Sequence, residues 1–127
     1  MELRYAVAEI TREQLELAAL AAGHRIYGWC VLCDDRIAYA DIGPEESVAW
    51  RPHLDDGDAA QLAVRVGIIT QPQISVPVVN AWMTGWKYQG VRRRVSHDGT
   101  EPDKLRAWRE AVVMCAAAVG ERMKGGA

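Results

Sequence analysis

Apolar positions recur at helical spacing in three stretches of the chain, and between them the pattern shortens to strand-like alternation. The first helical stretch follows Thr11 and Gln14, which form a capping box, with Ile10 and Leu15 placed as a hydrophobic staple. Leu15, Ala18, Ala19 and Ala22 make its apolar stripe and Gly23 is a left-handed stop, so a helix is predicted over 12–22. The second runs over 58–66, with Asp58 as N-cap, Gln61 at the third helical position and Gly67 beyond the end; Ala59, Leu62, Ala63 and Val66 form its stripe. The third covers 101–123, capped by Thr100 with Pro102 in its first turn. Its stripe is Leu105, Trp108, Val112, Cys115, Ala116, Val119 and Met123. Gly120 inside that helix costs about 1 kcal/mol relative to alanine, which predicts a close approach by another element there.

The intervening segments read as strands. Leu3, Tyr5 and Val7 alternate weakly. Tyr27, Trp29 and Val31 share one face of a hairpin that turns at Asp34-Asp35 and returns through Arg36 to Ala40, and 43–47 reads as a loop. Ile68 to Thr70 starts a strand that Pro72 cuts off. Residues 74–82 are rich in strand formers but contain Pro77, which predicts an edge strand or a bulge because proline removes a ladder donor. Thr84-Gly85 is a turn, Trp86 to Tyr88 resumes strand character, and Val91 to Ser96 is the last strand. The order helix, strands, helix, strands, helix, joined by hairpin-like connections, predicts an α+β fold with a mainly antiparallel sheet in a single domain over 1–127.

Composition bounds this picture without changing it. The chain has 127 residues, half of them hydrophobic and a quarter charged, enough for a core without metal or disulfide support. No run approaches the ~18 apolar residues of a membrane span, and the N-terminus lacks the uninterrupted apolar segment of a secretory signal. Three cysteines are an odd number and predict free thiols in a cytoplasm, with a bacterial host cell as the default. The net charge of −2 is unevenly spread. Residues 1–58 carry 12 acidic and 5 basic side chains (−7), and residues 59–127 carry 5 and 10 (+5). Either the halves complement each other or the basic half meets an anionic partner.

Candidate chemistry is sparse. Cys30 and Cys33 lie an odd number of residues apart, so on one strand they point to opposite faces and neither chelate together nor bridge easily. A zinc site would need His24 or His53 as well, and Cys115 falls on a buried stripe. Asp55, Asp56 and Asp58 do not match a calcium loop: counting back from Gly57, Pro52 and Leu54 occupy ligand positions. Acidic residues at a helix N-terminus suit the helix dipole by themselves. Ser96-His97-Asp98 are adjacent and cannot converge as a triad, and no phosphate-binding loop or nucleophile elbow is present. No catalytic residue, metal or cofactor is expected; a metal enzyme using Cys30, His53 or Asp55 is the weakest option.

The best cluster is Lys87, Arg92 and Arg94 beside Trp82, Trp86 and Tyr88. Cations hold a phosphate backbone and aromatic rings stack bases. Alternation puts Arg92 and Arg94 on one side of a strand and Arg93 on the other. The plainer reading is a charged edge strand guarded against aggregation. Trp82 and Trp86 also suit an interface between copies, so a homo-oligomer, most simply a dimer, is expected.

Several phrases taken together carry a resemblance. Tyr27-Gly28-Trp29, then Trp50-x-Pro52 followed by acidic residues and a short Ala/Leu helix, the opening 8–23 and the closing 101–123 resemble small phage and prophage proteins of the phage ABA-sandwich-domain type. The resemblance implies an α-β-α sandwich, a phage or prophage origin, and a non-enzymatic accessory or interaction protein. It supplies no catalytic residues, and the basic stretch 88–95 and the Cys30/Cys33 pair depart from it. A nucleic-acid-binding module using Lys87, Arg92 and Arg94 is the alternative.

Overall fold

The structure is a computed structural model that describes residues 10–30, 37–42, 45–73, 76–85 and 87–125. Its elements run α1 (Arg12–Ala22), β1 (Arg25–Trp29), β2 (Ala38–Ile42), β3 (Glu45–Trp50), α2 (Asp56–Val66), β4 (Ile68–Pro72), β5 (Val78–Met83), β6 (Arg92–Ser96) and α3 (Glu101–Lys124). The fold is α+β. All the described pairings are antiparallel, but the strands divide between two three-stranded sheets, β1-β2-β3 and β4-β5-β6, rather than forming one. The strand expected over 3–8 and the turn at Asp34-Asp35 lie outside the described residues.

Local chemistry accounts for the helix ends. Thr11 and Gln14 exchange both bonds of the capping box, at 3.1 and 3.0 Å, and Gly23 closes α1 at φ 77°. The start of α2 differs from expectation. Asp55, not Asp58, is the N-cap, and its carboxylate accepts from the Asp58 N–H at 2.8 Å. Asp58 instead turns back and accepts from the Arg51 N–H at 3.0 Å. A turn closed by Leu54 and Asp55 N–H groups on the Arg51 carbonyl precedes the helix and shifts the cap by three residues.

Helix α3 is the centre of the molecule. One side lies on the inner face of β4-β5-β6, built from Ile68, Val79, Ala81, Met83 and Val95. Other sides meet α1 and α2. Ala111, Val113 and Ala117 are therefore buried although they fall off the expected stripe, while Leu105 and Met123, at its ends, are 38% and 41% exposed. Trp108 is only half-buried and donates from Nε1 to Thr70 Oγ1 at 3.1 Å. At Gly120 a Cβ would stand 2.0 Å from the Leu17 carbonyl oxygen, so α1 and α3 meet backbone to backbone.

Three strand expectations need correction. Residues 45–50 are the edge strand β3, paired with β2, although 45–47 read as loop. β5 is the central strand of its sheet rather than an edge. Pro77 lies just before the strand and leaves its ladder intact. Residues 87–90 form a turn, not a strand.

The joint between β3 and α2 docks firmly. Trp50, Pro52 and His53 are buried, and the His24 ring meets Trp50 edge-on at 5.5 Å between centroids. Arg109 of α3 clamps the joint, donating to the His53 carbonyl at 3.1 Å and to Asp56 Oδ1 at 2.8 Å.

Candidate functional site

Burial alternates along β5 from Val79 to Met83, as a strand in a sheet with one covered face should, whereas the three arginines that open β6 are all exposed. Val79, Ala81 and Met83 of β5 turn toward α3, which leaves Asn80 and Trp82 on the opposite, open face. Register brings partners to each. Ile69 and Arg92 flank Trp82, while Gln71 and Arg94 flank Asn80. The open face thus carries two rows. One is apolar, aromatic and cationic: Ile69, Trp82, Arg92. The other is amide and cationic: Gln71, Asn80, Arg94. Rows two residues apart on a strand are separated by about 7 Å.

Gln71, Gln73, Asn80, Trp82, Arg92, Arg93 and Arg94 line a shallow groove of about 680 Å³ on this face, and none of the side chains along it is acidic. Arg94 Nε donates to Asn80 Oδ1 at 3.2 Å, holding both side chains across the strands. Arg93, on the alternate side of β6, donates from Nη1 to its neighbour's carbonyl, Arg92 O, at 2.7 Å. It also lines a smaller cleft of about 260 Å³ with Glu121 and Arg122 of α3.

Of the described tryptophans, Trp82 alone lies off the core. Trp50 is buried within it, and Trp29 and Trp108 pack against it. Trp82 is half-buried on the open sheet face, outside the core cluster, between an isoleucine that is 45% exposed and a guanidinium. Edge protection calls for charge alone and accounts for none of the rest of this face.

The expected cluster is thus brought together in part. Arg92 and Arg94 share the groove with Trp82. Lys87 sits in the turn between β5 and β6, its ammonium 5.7 Å from the Tyr88 ring centroid, and does not line the groove. Trp86 lies outside the described residues. Gln71, Gln73 and Asn80 were not foreseen. Their signal was the i, i+2 spacing of Asn80 and Trp82, unusable without the register of β4.

A comparison with protein-family models, characterised proteins and solved structures finds nothing that matches this chain.

The other candidate residues are occupied structurally. Asp55 caps α2, and the His53 carbonyl accepts from Arg109. Cys30 is disulfide-bonded, while Cys33 lies outside the described residues. The face-alternation argument fails here because β1 ends at Trp29, so the expectation of free thiols holds for Cys115 and not for Cys30. Cys115 is free and buried, and desolvation pushes its thiol up to about 11, so it is inert at neutral pH. Among the described residues no three His, Cys, Asp or Glu side chains gather as metal ligands. No described helix is long and apolar enough to cross a membrane.

A second cleft, about 450 Å³, opens between α1 and β1 and includes Glu16, His24, Tyr27 and Trp29. His24 has its Nδ1 buried with no hydrogen-bond partner, and burial, with Arg65 nearby, holds its pKa below the usual imidazole value.

Proposed function

We propose that this chain binds single-stranded nucleic acid across the open face of β4-β5-β6, as a small non-enzymatic accessory protein. The observation that carries the reading is the register Ile69–Trp82–Arg92 beside Gln71–Asn80–Arg94. Trp82 is half-buried, and a base stacking on the accessible part of its indole contributes about 1–3 kcal/mol. Guanidinium groups one row apart suit successive phosphates, and a groove lined by no carboxylate offers an anion no repulsion. Stacking requires an unpaired base, which favours a single strand over a duplex.

The main rival occupant is a second copy of the chain, as expected for Trp82 and Trp86. A two-fold contact through this face would set Arg92 and Arg94 of both copies against one another with no acidic residue along the groove to neutralise them. The charges therefore favour an anionic partner. The accessory role and a phage or prophage origin rest on the resemblance of 8–23, 27–29, 50–52 and 101–123 to small phage and prophage proteins.

The test is fluorescence anisotropy of short labelled single strands titrated with protein at low salt. Binding should appear in the micromolar range or tighter and weaken about tenfold or more in Trp82→Ala. No binding at low salt, or equal binding by Trp82→Ala, overturns the proposal. A dimer by light scattering that Trp82→Ala disrupts would assign the face to self-association instead.

A further inference from the structure

Resting on the reading of this face as a strand-binding surface, we infer that Asn80 reads the base next to the one stacked on Trp82, and that it selects bases with a carbonyl oxygen at pyrimidine position 4 or purine position 6 over bases with an amino group there.

Asn80 and Trp82 leave the same face of β5 two residues apart, about 7 Å along the strand, within reach of one extended nucleotide step. With the indole under one base, the neighbouring base falls on the row Gln71–Asn80–Arg94. A carboxamide offers one acceptor oxygen and two N–H donors. Here Arg94 Nε donates to Asn80 Oδ1 at 3.2 Å, which occupies one lone pair of the oxygen and turns it toward the guanidinium. The row therefore presents donors: the Asn80 amide N–H groups and the remaining guanidinium N–H groups of Arg94.

An asparagine free to rotate pairs with adenine through both its oxygen and its nitrogen. Arg94 disfavours that option by competing for the oxygen and holding the amide in one orientation. A donor row matches uracil or thymine O4 and guanine O6 and N7, and it opposes the cytosine N4 and adenine N6 amino groups. Arg94 thus acts twice, as a cation toward phosphate and as the group that orients the amide.

Oligouridine and oligocytidine of about eight nucleotides separate the alternatives, since their bases differ chiefly in O4 against N4. Wild type should bind oligouridine about tenfold more tightly than oligocytidine at equal salt. Asn80→Ala should bind both, with the preference reduced to about twofold or less. Asn80→Asp, which keeps the partner of Arg94 and replaces the donor by an acceptor, should reverse it toward cytidine. Circular dichroism melts confirm that each variant is folded, and Asn80→Asp decides the matter if Asn80→Ala is not. Failure of wild type to bind either strand overturns the reading of the face itself. Binding without preference, or a uridine preference unchanged in both folded variants, overturns the role of Asn80 and leaves the face standing.

Discussion

Gly120 of α3 lies against the backbone of Leu17 in α1 so closely that a methyl group added to it would stand 2.0 Å from the Leu17 carbonyl oxygen. The obstruction is main chain, so no rotamer change relieves it. Alanine would gain about 1 kcal/mol of helix propensity, but overpacking against a rigid neighbour costs about 1–3 kcal/mol and more where backbone must shift. Gly120→Ala should therefore lower stability by roughly 2 kcal/mol, read as a lower denaturation midpoint in urea. An unchanged or raised midpoint would show that the two helices are not in contact here.

How much of this was legible beforehand follows the range of each interaction. The caps of α1 and α3 and the stops at Gly23 and Gly67 depend on residues within one turn, and the sequence displays them. Gly120 announced a close approach but not its partner. The off-stripe burial of Ala111, Val113 and Ala117 was hidden because small residues tolerate a neighbour on any side, and only the third dimension supplies one. β3 was lost because its first half uses loop-like residues, and β5 was demoted by a proline that in fact precedes it. At the candidate site, Trp82, Arg92 and Arg94 were visible as residue types. Asn80 and Gln71 needed strand register, which no local pattern encodes.

Arg106 is the electrostatic hub at the start of α3. It meets Asp103 at 2.6 and 3.1 Å, Glu110 at 2.7 Å and the Ser96 carbonyl at 3.0 Å, tying α3 to the end of β6. Glu110 is buried, and desolvation raises its pKa above the usual carboxylate value even with Arg106 beside it. Removing the cation strands a buried carboxylate, and Arg106→Ala should cost about 3 kcal/mol at pH 7.5. The sign of the pH dependence follows. With a folded pKa above the unfolded one, the folded state binds the extra proton, so the variant regains stability as pH falls through that folded pKa. Thermal melts at pH 7.5 and 5.5 should show the gap to wild type narrowing on acidification. Asp103, whose pKa is lowered chiefly by its hydrogen bond to Arg106 in wild type, stays ionised over this window and does not mask the effect. A gap that stays constant or widens would place the Glu110 charge outside the energetics.

His24 carries the opposite dependence. Burial first, and then the Arg65 charge, lower its pKa below the usual imidazole value. The unfolded chain then binds the extra proton, so the contribution of neutral His24 is present above the unfolded value of about 6.5 and is lost as pH falls through it. Wild type should lose more stability between pH 7.5 and 5.5 than His24→Gln, measured by urea midpoints at both values. Equal losses in the two proteins would mean that this imidazole titrates as if solvated.

The arginines of the open sheet face make a quantitative claim about salt. Each phosphate neutralised on a single strand steepens the slope of log K against log salt by about 0.7. Arg92 and Arg94 flank Trp82 and Asn80 in adjacent rows, so each can meet its own phosphate. Arg92→Ala together with Arg94→Ala should flatten the slope by about 1.4, with the loss of affinity largest at low salt. Trp82→Ala should behave differently: stacking involves no counterion release, so its affinity loss should be the same at every salt concentration and the slope unchanged. Lys87, which lies in the β5–β6 turn and does not line the groove, should leave both slope and affinity near wild type when replaced by alanine. Anisotropy titrations of one labelled single strand over several salt concentrations read all three variants. A double arginine variant that keeps the full slope would mean that the phosphates are met elsewhere on the basic half of the chain. A slope that changes with Lys87 would move the contact toward the turn.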